Sequence, residues 1–131
     1  MRRAKVLLFV LCITAIMGCK DAKVEGAQVI SPKEAHTLLQ TNNILLIDVR
    51  TPEEFDSEHI QNAKNFDFKS NAFNEAIKTL EKEVPTIVYC RSGKRSTKSI
   101  KNFRDAGFTK LYMLKGGLIK WKDKGYKTVT E

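Results

Sequence analysis

Thr86-Ile87-Val88-Tyr89 is an unbroken β-branched and aromatic run, and it leads without a spacer into Cys90-Arg91-Ser92-Gly93-Lys94-Arg95. Four residues are too few for a helix, and an apolar run with no alternation suits a strand covered on both faces. Behind the loop, Ser96 to Ala106 has helical spacing, with Ile100 and Phe103 inward and Gly107 as a stop. Strand, tight loop and helix in that order restrict the chain to a sheet with helices packed on it.

The same unit occurs upstream. Ile44-Leu45-Leu46-Ile47 is a second apolar run; it ends on Asp48-Val49-Arg50 and passes into Thr51-Pro52-Glu53-Glu54, a capping box with proline at the first helical position. Ser31-Pro32-Lys33-Glu34 carries the same signature and predicts a helix to about Gln40. Ala63 to Phe68 suits a short strand, and Ser70 to Lys82 suits a helix with Phe73, Ile77 and Leu80 on one side, broken by Pro85. Leu111 to Leu114 predicts another strand, Gly116-Gly117 a turn, and Leu118 to Lys124 a helix with Trp121 inward. Alternating strands and helices predict an α/β fold, a mostly parallel sheet with helices on both faces. Sites in such sheets form at the carboxyl ends of the strands, where Asp48, Arg50 and the Cys90 loop all fall.

With 131 residues the chain has room for one core. Its 42% apolar and 29% charged residues are those of a globular domain. The net charge is +8, and three of those charges, Arg2, Arg3 and Lys5, stand in a leader without acids, so residues 19 to 131 carry +5. No run of five or six basic residues occurs and aromatics are not interleaved with the cations, which argues against nucleic acid as a partner. The sign suits a small anion or an anionic membrane surface.

Residues 1 to 18 have the layout of an export signal: a basic start, an apolar run from Val6 to Met17, then Gly18 and Cys19 before the chain turns polar. Twelve helical residues reach about 18 Å against a hydrocarbon core of about 30 Å, so the run is too short to span a membrane. Ile16-Met17-Gly18-Cys19 resembles the lipobox of bacterial lipoproteins, although that family prefers a smaller residue at Met17. The resemblance implies that Cys19 is acylated and becomes the N-terminus, anchoring an exported protein to a bacterial membrane, facing the periplasm or the cell surface. The Lys20-Asp21 pair favours the outer membrane. Residues 19 to 27 then form a lipidated cysteine and tether, and residues 28 to 131 the domain.

Of three cysteines, Cys12 lies in the leader and Cys19 at the lipobox, so Cys90 is the only thiol of the domain. This excludes a disulfide within the domain, a two-cysteine redox motif and a cysteine zinc site, and no metal ligand set is assigned. A free thiol near pKa 8.5 is only about 3% thiolate at pH 7, and the thiolate is the nucleophile. Lowering that pKa by two units takes about 2.7 kcal/mol. A helix N-terminus supplies about 0.3 to 2 kcal/mol of this, and Arg91, Lys94 and Arg95 are placed to add to it. Gly93 permits a tight turn whose amides converge on an anion.

Cys90-Arg91-Ser92-Gly93-Lys94-Arg95-Ser96 resembles the active-site loop of rhodaneses. Ile47 to Phe55, with His59-Ile60 and Ala63-Lys64-Asn65, is similar to that family's N-terminal signature, and Leu114-Lys115-Gly116-Gly117, Trp121 and Gly125-Tyr126 to its C-terminal one. The three motifs cover about residues 28 to 129 in the right order. Departures lie around His59, where Glu58 and Asn62 replace frequent glycines and Gln61 a common proline. The resemblance implies a rhodanese-like fold of about five strands and a sulfurtransferase that needs no cofactor. In it Cys90 takes sulfane sulfur from thiosulfate or a related anionic donor and passes it to cyanide or a thiol. The amides of residues 91 to 95 are implied to cradle the persulfide and Arg91, Lys94 and Arg95 to attract the donor, with Ser92 and Gly93 in the same substrate-binding loop; Asp48 and Arg50 read as support for the loop from behind, although Arg50 also suits a pocket wall. A monomer is expected.

Two rivals are weaker. Phosphatases and arsenate reductases on related scaffolds enclose five residues between cysteine and arginine, whereas Cys90 and Arg95 enclose four. A sulfur-sensing or protein-binding module is the other alternative, since idle domains of this type exist, but most have lost the cysteine. His59 reads as structural, because an ionised thiolate needs no base, His36 as a helix-surface residue, and Trp121 and Tyr126 as packing.

Overall fold

The computed structural model describes residues 23–41 and 43–131. The leader, Cys12 and Cys19 lie outside the described residues. In chain order the elements are β1 (Gln28–Ile30), α1 (Pro32–Leu39), β2 (Leu45–Asp48), α2 (Pro52–Ser57), β3 (Lys64–Asn65), α3 (Phe73–Ile77), β4 (Thr86–Tyr89), α4 (Lys94–Asp105), β5 (Leu111–Leu114) and α5 (Gly117–Asp123). The five strands form one sheet in the order β1-β5-β4-β2-β3 with every pairing parallel.

The two apolar runs are its centre: β2 and β4 pair from Leu45 opposite Thr86 to Asp48 opposite Tyr89. Side chains alternate across the sheet. Ile47 and Val88 meet Phe73, Ile77, Ile100 and Phe103 of α3 and α4 on one face, whereas Leu46, Ile87 and Tyr89 meet Ala35, Leu118 and Trp121 of α1 and α5 on the other. Edge-to-face contacts run from Phe68 through Phe73 and Phe103 to Phe108, with centroids 5.3 to 5.7 Å apart, a favoured ring geometry. Both capping boxes form, with Ser31 and Thr51 accepting from the amides of Glu34 and Glu54.

Three elements differ in extent from expectation, and β1, Gln28–Ile30, was not among the strands expected from the sequence. The strand expected over Ala63 to Phe68 keeps only Lys64 and Asn65, because β2 turns away after Asp48, where the Arg50 amide donates to Asp48 Oδ1 at 2.9 Å. The helix expected from Ser70 to Lys82 is reduced to Phe73–Ile77. Beyond Ile77 the amides of Thr79 and Leu80 bond three residues back, and the Thr79 hydroxyl occupies the Ala76 carbonyl at 2.7 Å, so the α pattern stops. Helix α4 starts at Lys94, two residues early, because Gly93 makes the whole turn at φ 105°.

At the unusual turn, Asn62 adopts φ 68°, a left-handed conformation that asparagine tolerates better than most residues. Glu58 is ordinary extended backbone. Residues 24–27, expected within the tether, lie on the domain: Val24 and Ala27 pack against the core, and Glu25 sits 3.6 Å from Arg104 at the end of α4. No helix among the described residues is long and apolar enough to cross a membrane.

Candidate functional site: a cradled thiol

Strand β4 delivers Cys90 to the carboxyl end of the sheet, and α4 begins four residues later. The Gly93 amide donates to Cys90 Sγ at 3.1 Å, and Ser96 Oγ lies 3.5 Å from the sulfur. Ser96 is the third residue of α4 and wholly buried, so its hydroxyl is held in the first turn of the helix. That hydroxyl also lies 3.1 Å from the Gly93 carbonyl and carries one proton to share between them. Cys90 is 1% exposed, and burial pushes its thiol up; hydrogen bonds from the Ser96 hydroxyl and from the amides of Ser96, Gly93 and Ser92 together outweigh that and leave the pKa below its ordinary value.

The loop amides converge on sulfur because the loop carbonyls are engaged on the other side. Leu118 and Ile119, in the first turn of α5, donate to the carbonyls of Cys90 and Arg91 at 2.9 and 3.1 Å. Gly117 makes that approach feasible: at φ 60° it sits so close that a Cβ would collide with both carbonyl oxygens.

The cations separate. Arg91 and Lys94 are exposed, and so is Ser92. Arg95 is turned to Glu54 in a two-bond ion pair of 2.7 and 2.8 Å that ties α4 to α2. This pairing raises the Arg95 pKa and, with the Thr51 cap, brings Glu54 down to about 2. Arg95 still feels the Cys90 charge, but its donors are directed at the carboxylate.

Asp48 is sealed from solvent and grips Arg50 through Nε and Nη2, at 2.7 Å for the shortest bond, and Nη2 also reaches the Glu58 carbonyl at 2.6 Å. Asn65 Nδ2 ties the carbonyls of Asp48 and Arg50 together. The Arg50 guanidinium lies over the Tyr89 ring, 5.9 Å from its centroid, and the Tyr89 hydroxyl accepts from the Ile60 amide. Asp48 thus fixes Arg50 and the strand ends beneath the loop, without bonding to Cys90.

His59 stacks on Phe55 at 3.8 Å, and its Nδ1 donates to the Phe55 carbonyl at 2.8 Å. It faces Glu131, not the thiol. His36 is not a plain surface residue: it stacks flat against Tyr126 at 4.2 Å, beside Trp121. Trp121 Nε1 donates to the Lys127 carbonyl.

Three contributors escaped sequence reasoning: Ser96, Glu54 and Gly117. Ser96 stands in the quoted loop motif, and its spacing of six from Cys90 was the available signal. Glu54 was accounted for by its capping role. Gly117 read as a turn, and nothing local announces a contact with β4. Among the described residues no three histidine, cysteine or acidic side chains gather as a metal site.

Residues 31–124 match the family model of the rhodanese-like domain. A thiosulfate sulfurtransferase of Coxiella burnetii is 33% identical over 93 residues, covering 71% of this chain and 85% of that protein. An uncharacterized protein of Synechocystis is 35% identical over 100 residues, 76% of this chain but 55% of that protein, so the chain spans about half of that relative's length. Among solved structures, the polysulfide-sulfur transferase homodimer of Wolinella succinogenes aligns with a TM-score of 0.68 and 30% identity over 82% of each chain. A rhodanese-related protein of Thermoplasma volcanium aligns with a TM-score of 0.70 and 25% identity, over 79% of this chain and 99% of that one.

Proposed function

The chain belongs to the rhodanese-like domain family, and from that premise we propose that it is a sulfurtransferase working through a persulfide on Cys90. The observation that carries the reading is the cradle, in which a buried thiol is held below its ordinary pKa by converging donors. Thiosulfate is the donor named for the Coxiella relative, and it suits the exposed Arg91 and Lys94 at the rim. The Cys90 thiolate attacks the outer sulfur of the donor; the bond between the two donor sulfurs breaks, and its electron pair leaves with sulfite. The sulfane sulfur is then bonded to Sγ as an anionic persulfide, which loop amides are suited to hold. Cyanide or a thiolate attacks that outer sulfur, the Cys90 disulfur bond breaks, and the pair returns to Sγ.

Sulfite release from thiosulfate with cyanide or a dithiol tests this. Wild-type protein is expected to turn over and Cys90→Ala to fall to background, and equal activity in the two overturns the assignment. A single gain of 32 Da on Cys90 without turnover assigns the domain to sulfur sensing.

The proposal also places the protein on a membrane through Cys19, a reading that rests on the sequence of residues 1 to 19 alone. Expressed in a bacterial host, the full chain is expected to incorporate labelled palmitate, and Cys19→Ser to lose the label. Labelling that survives the substitution overturns the anchor.

A further inference from the structure

Glu58 stands where rhodaneses frequently have glycine, and its side chain makes contacts that glycine cannot. Lys122 Nζ, in α5, donates to Glu58 Oε2 at 2.8 Å, and Thr128 Oγ1, in the segment after α5, donates to Oε1 at 2.7 Å. Lys122 and then Thr128 hold the Glu58 carboxyl below its ordinary pKa, so the tie is made at neutral pH. The backbone of the same residue faces inward: its carbonyl accepts from Arg50 Nη2 at 2.6 Å, beneath the Cys90 loop. The amide and carbonyl of His59 pair with Val129 at 2.9 and 2.8 Å, and the Lys127 carbonyl accepts from Trp121, so the chain after α5 is laid along the end of α2.

What Glu58 holds is the helix that shapes the loop. Helix α5 has seven residues, about 10 Å of helix, and Lys122 lies one turn from Leu118 on the same face. Leu118 and Ile119 donate to the carbonyls of Cys90 and Arg91, so a displacement at Lys122 reaches the loop within one turn. The approach to the loop runs between α2 and α5, with Arg50, Glu54 and Glu58 on one side and Arg91, Leu118 and Lys122 on the other. Among the described residues, the bond from Lys122 to Glu58 is the only side-chain bond that joins the two sides.

At 31% and 50% side-chain exposure this pair adds little to global stability, and its consequence is local. Cys90 is 1% exposed, so a reagent reaches the sulfur only when its cover moves. A small reagent needs the loop to move; a bulky one needs α2 and α5 to part as well. We propose that Glu58 is a positioning residue that sets the separation of α2 and α5 and thereby limits the size of the partner that reaches Cys90. This role concerns access to the thiol and is independent of the sulfur that Cys90 carries.

Alkylation of the full-length protein tests this, with N-methylmaleimide as the small reagent and N-(1-pyrenyl)maleimide as the bulky one. Adducts are followed on the Cys90 peptide, since Cys12 and Cys19 also belong to the chain. Glu58→Ala removes both contacts; Lys122→Met removes one from a half-exposed position and carries the test alone if Glu58→Ala fails to fold. Glu58→Ala is expected to accelerate the pyrenyl reaction about fivefold, the upper worth of an exposed ion pair. The methyl reaction should stay within about twofold and the urea midpoint should not move. Lys122→Met is expected to act in the same direction, and the double variant to match Glu58→Ala, because the two residues act through one bond. Salt should accelerate the pyrenyl reaction in wild type and not in Glu58→Ala. Equal acceleration with both reagents, no acceleration, additive gains in the double variant, or a salt response that survives Glu58→Ala overturns the role. Sulfur uptake by Cys90 is a separate readout: its failure overturns the transfer reading and not the role of Glu58.

Discussion

At the residue scale the site turns on a contest between burial and hydrogen bonding at one sulfur. Cys90 is covered as thoroughly as the core isoleucines, which raises its pKa, and the Ser96 hydroxyl is the strongest single donor against that. Replacing it is expected to move the thiol towards the alkaline side. Ser96→Ala should shift the midpoint of the pH profile for Cys90 alkylation upward, because it removes a hydrogen bond that favours the charged sulfur. An unchanged midpoint assigns the thiolate to the amides alone. Glu54→Gln is a second residue-scale case. It releases Arg95 from its carboxylate, so an uncompensated guanidinium faces the thiolate, and the same midpoint is expected to fall.

At the scale of elements, α5 works on α4 through the loop between β4 and α4. Its first-turn amides hold the carbonyls of Cys90 and Arg91, and Gly117 is the hinge of that approach. Gly117→Ala places a methyl group against two backbone carbonyls at positive φ and is expected to cost about 2 kcal/mol or more, read as a lowered urea midpoint, with alkylation of Cys90 accelerated in the folded protein as the loop loosens. What the sequence made legible divides along the same line. The central strands were readable because a strand buried on both faces has no polar alternation, and the starts of α1 and α2 because Ser31-Pro32 and Thr51-Pro52 specify caps locally. The lengths of β3 and α3 were not, since they are set by where β2 turns at Asp48 and by which carbonyls the Thr79 side chain takes. The site divides likewise: Cys90 and Gly93 stand in one motif, whereas the partner of Arg95 lies 41 residues away and already has a local role. His36 read as surface because its stacking partner, Tyr126, belongs to a segment beyond α5.

For the whole molecule, the Glu54 to Arg95 bridge makes stability depend on pH in one direction. Glu54 has a folded pKa of about 2 against about 4.3 in an unfolded chain, so its contribution is complete above about pH 4.3 and disappears as the pH falls towards 2. Urea midpoints are expected to decline across that window and to decline less steeply in Glu54→Gln; parallel curves would show that the bridge is not a source of acid sensitivity. The purely parallel sheet has a further result. All strands point the same way, so the chemistry gathers at one pole of the domain, while Val24 to Ala27 are pressed against the end of α4 at the other. On the proposed anchoring through Cys19, only residues 20 to 23 separate the acylated residue from the segment seated on the domain. The loop that holds the buried Cys90 lies at the pole away from where the chain enters the domain, so on the proposed anchoring and chemistry sulfur would be passed on the side away from the membrane.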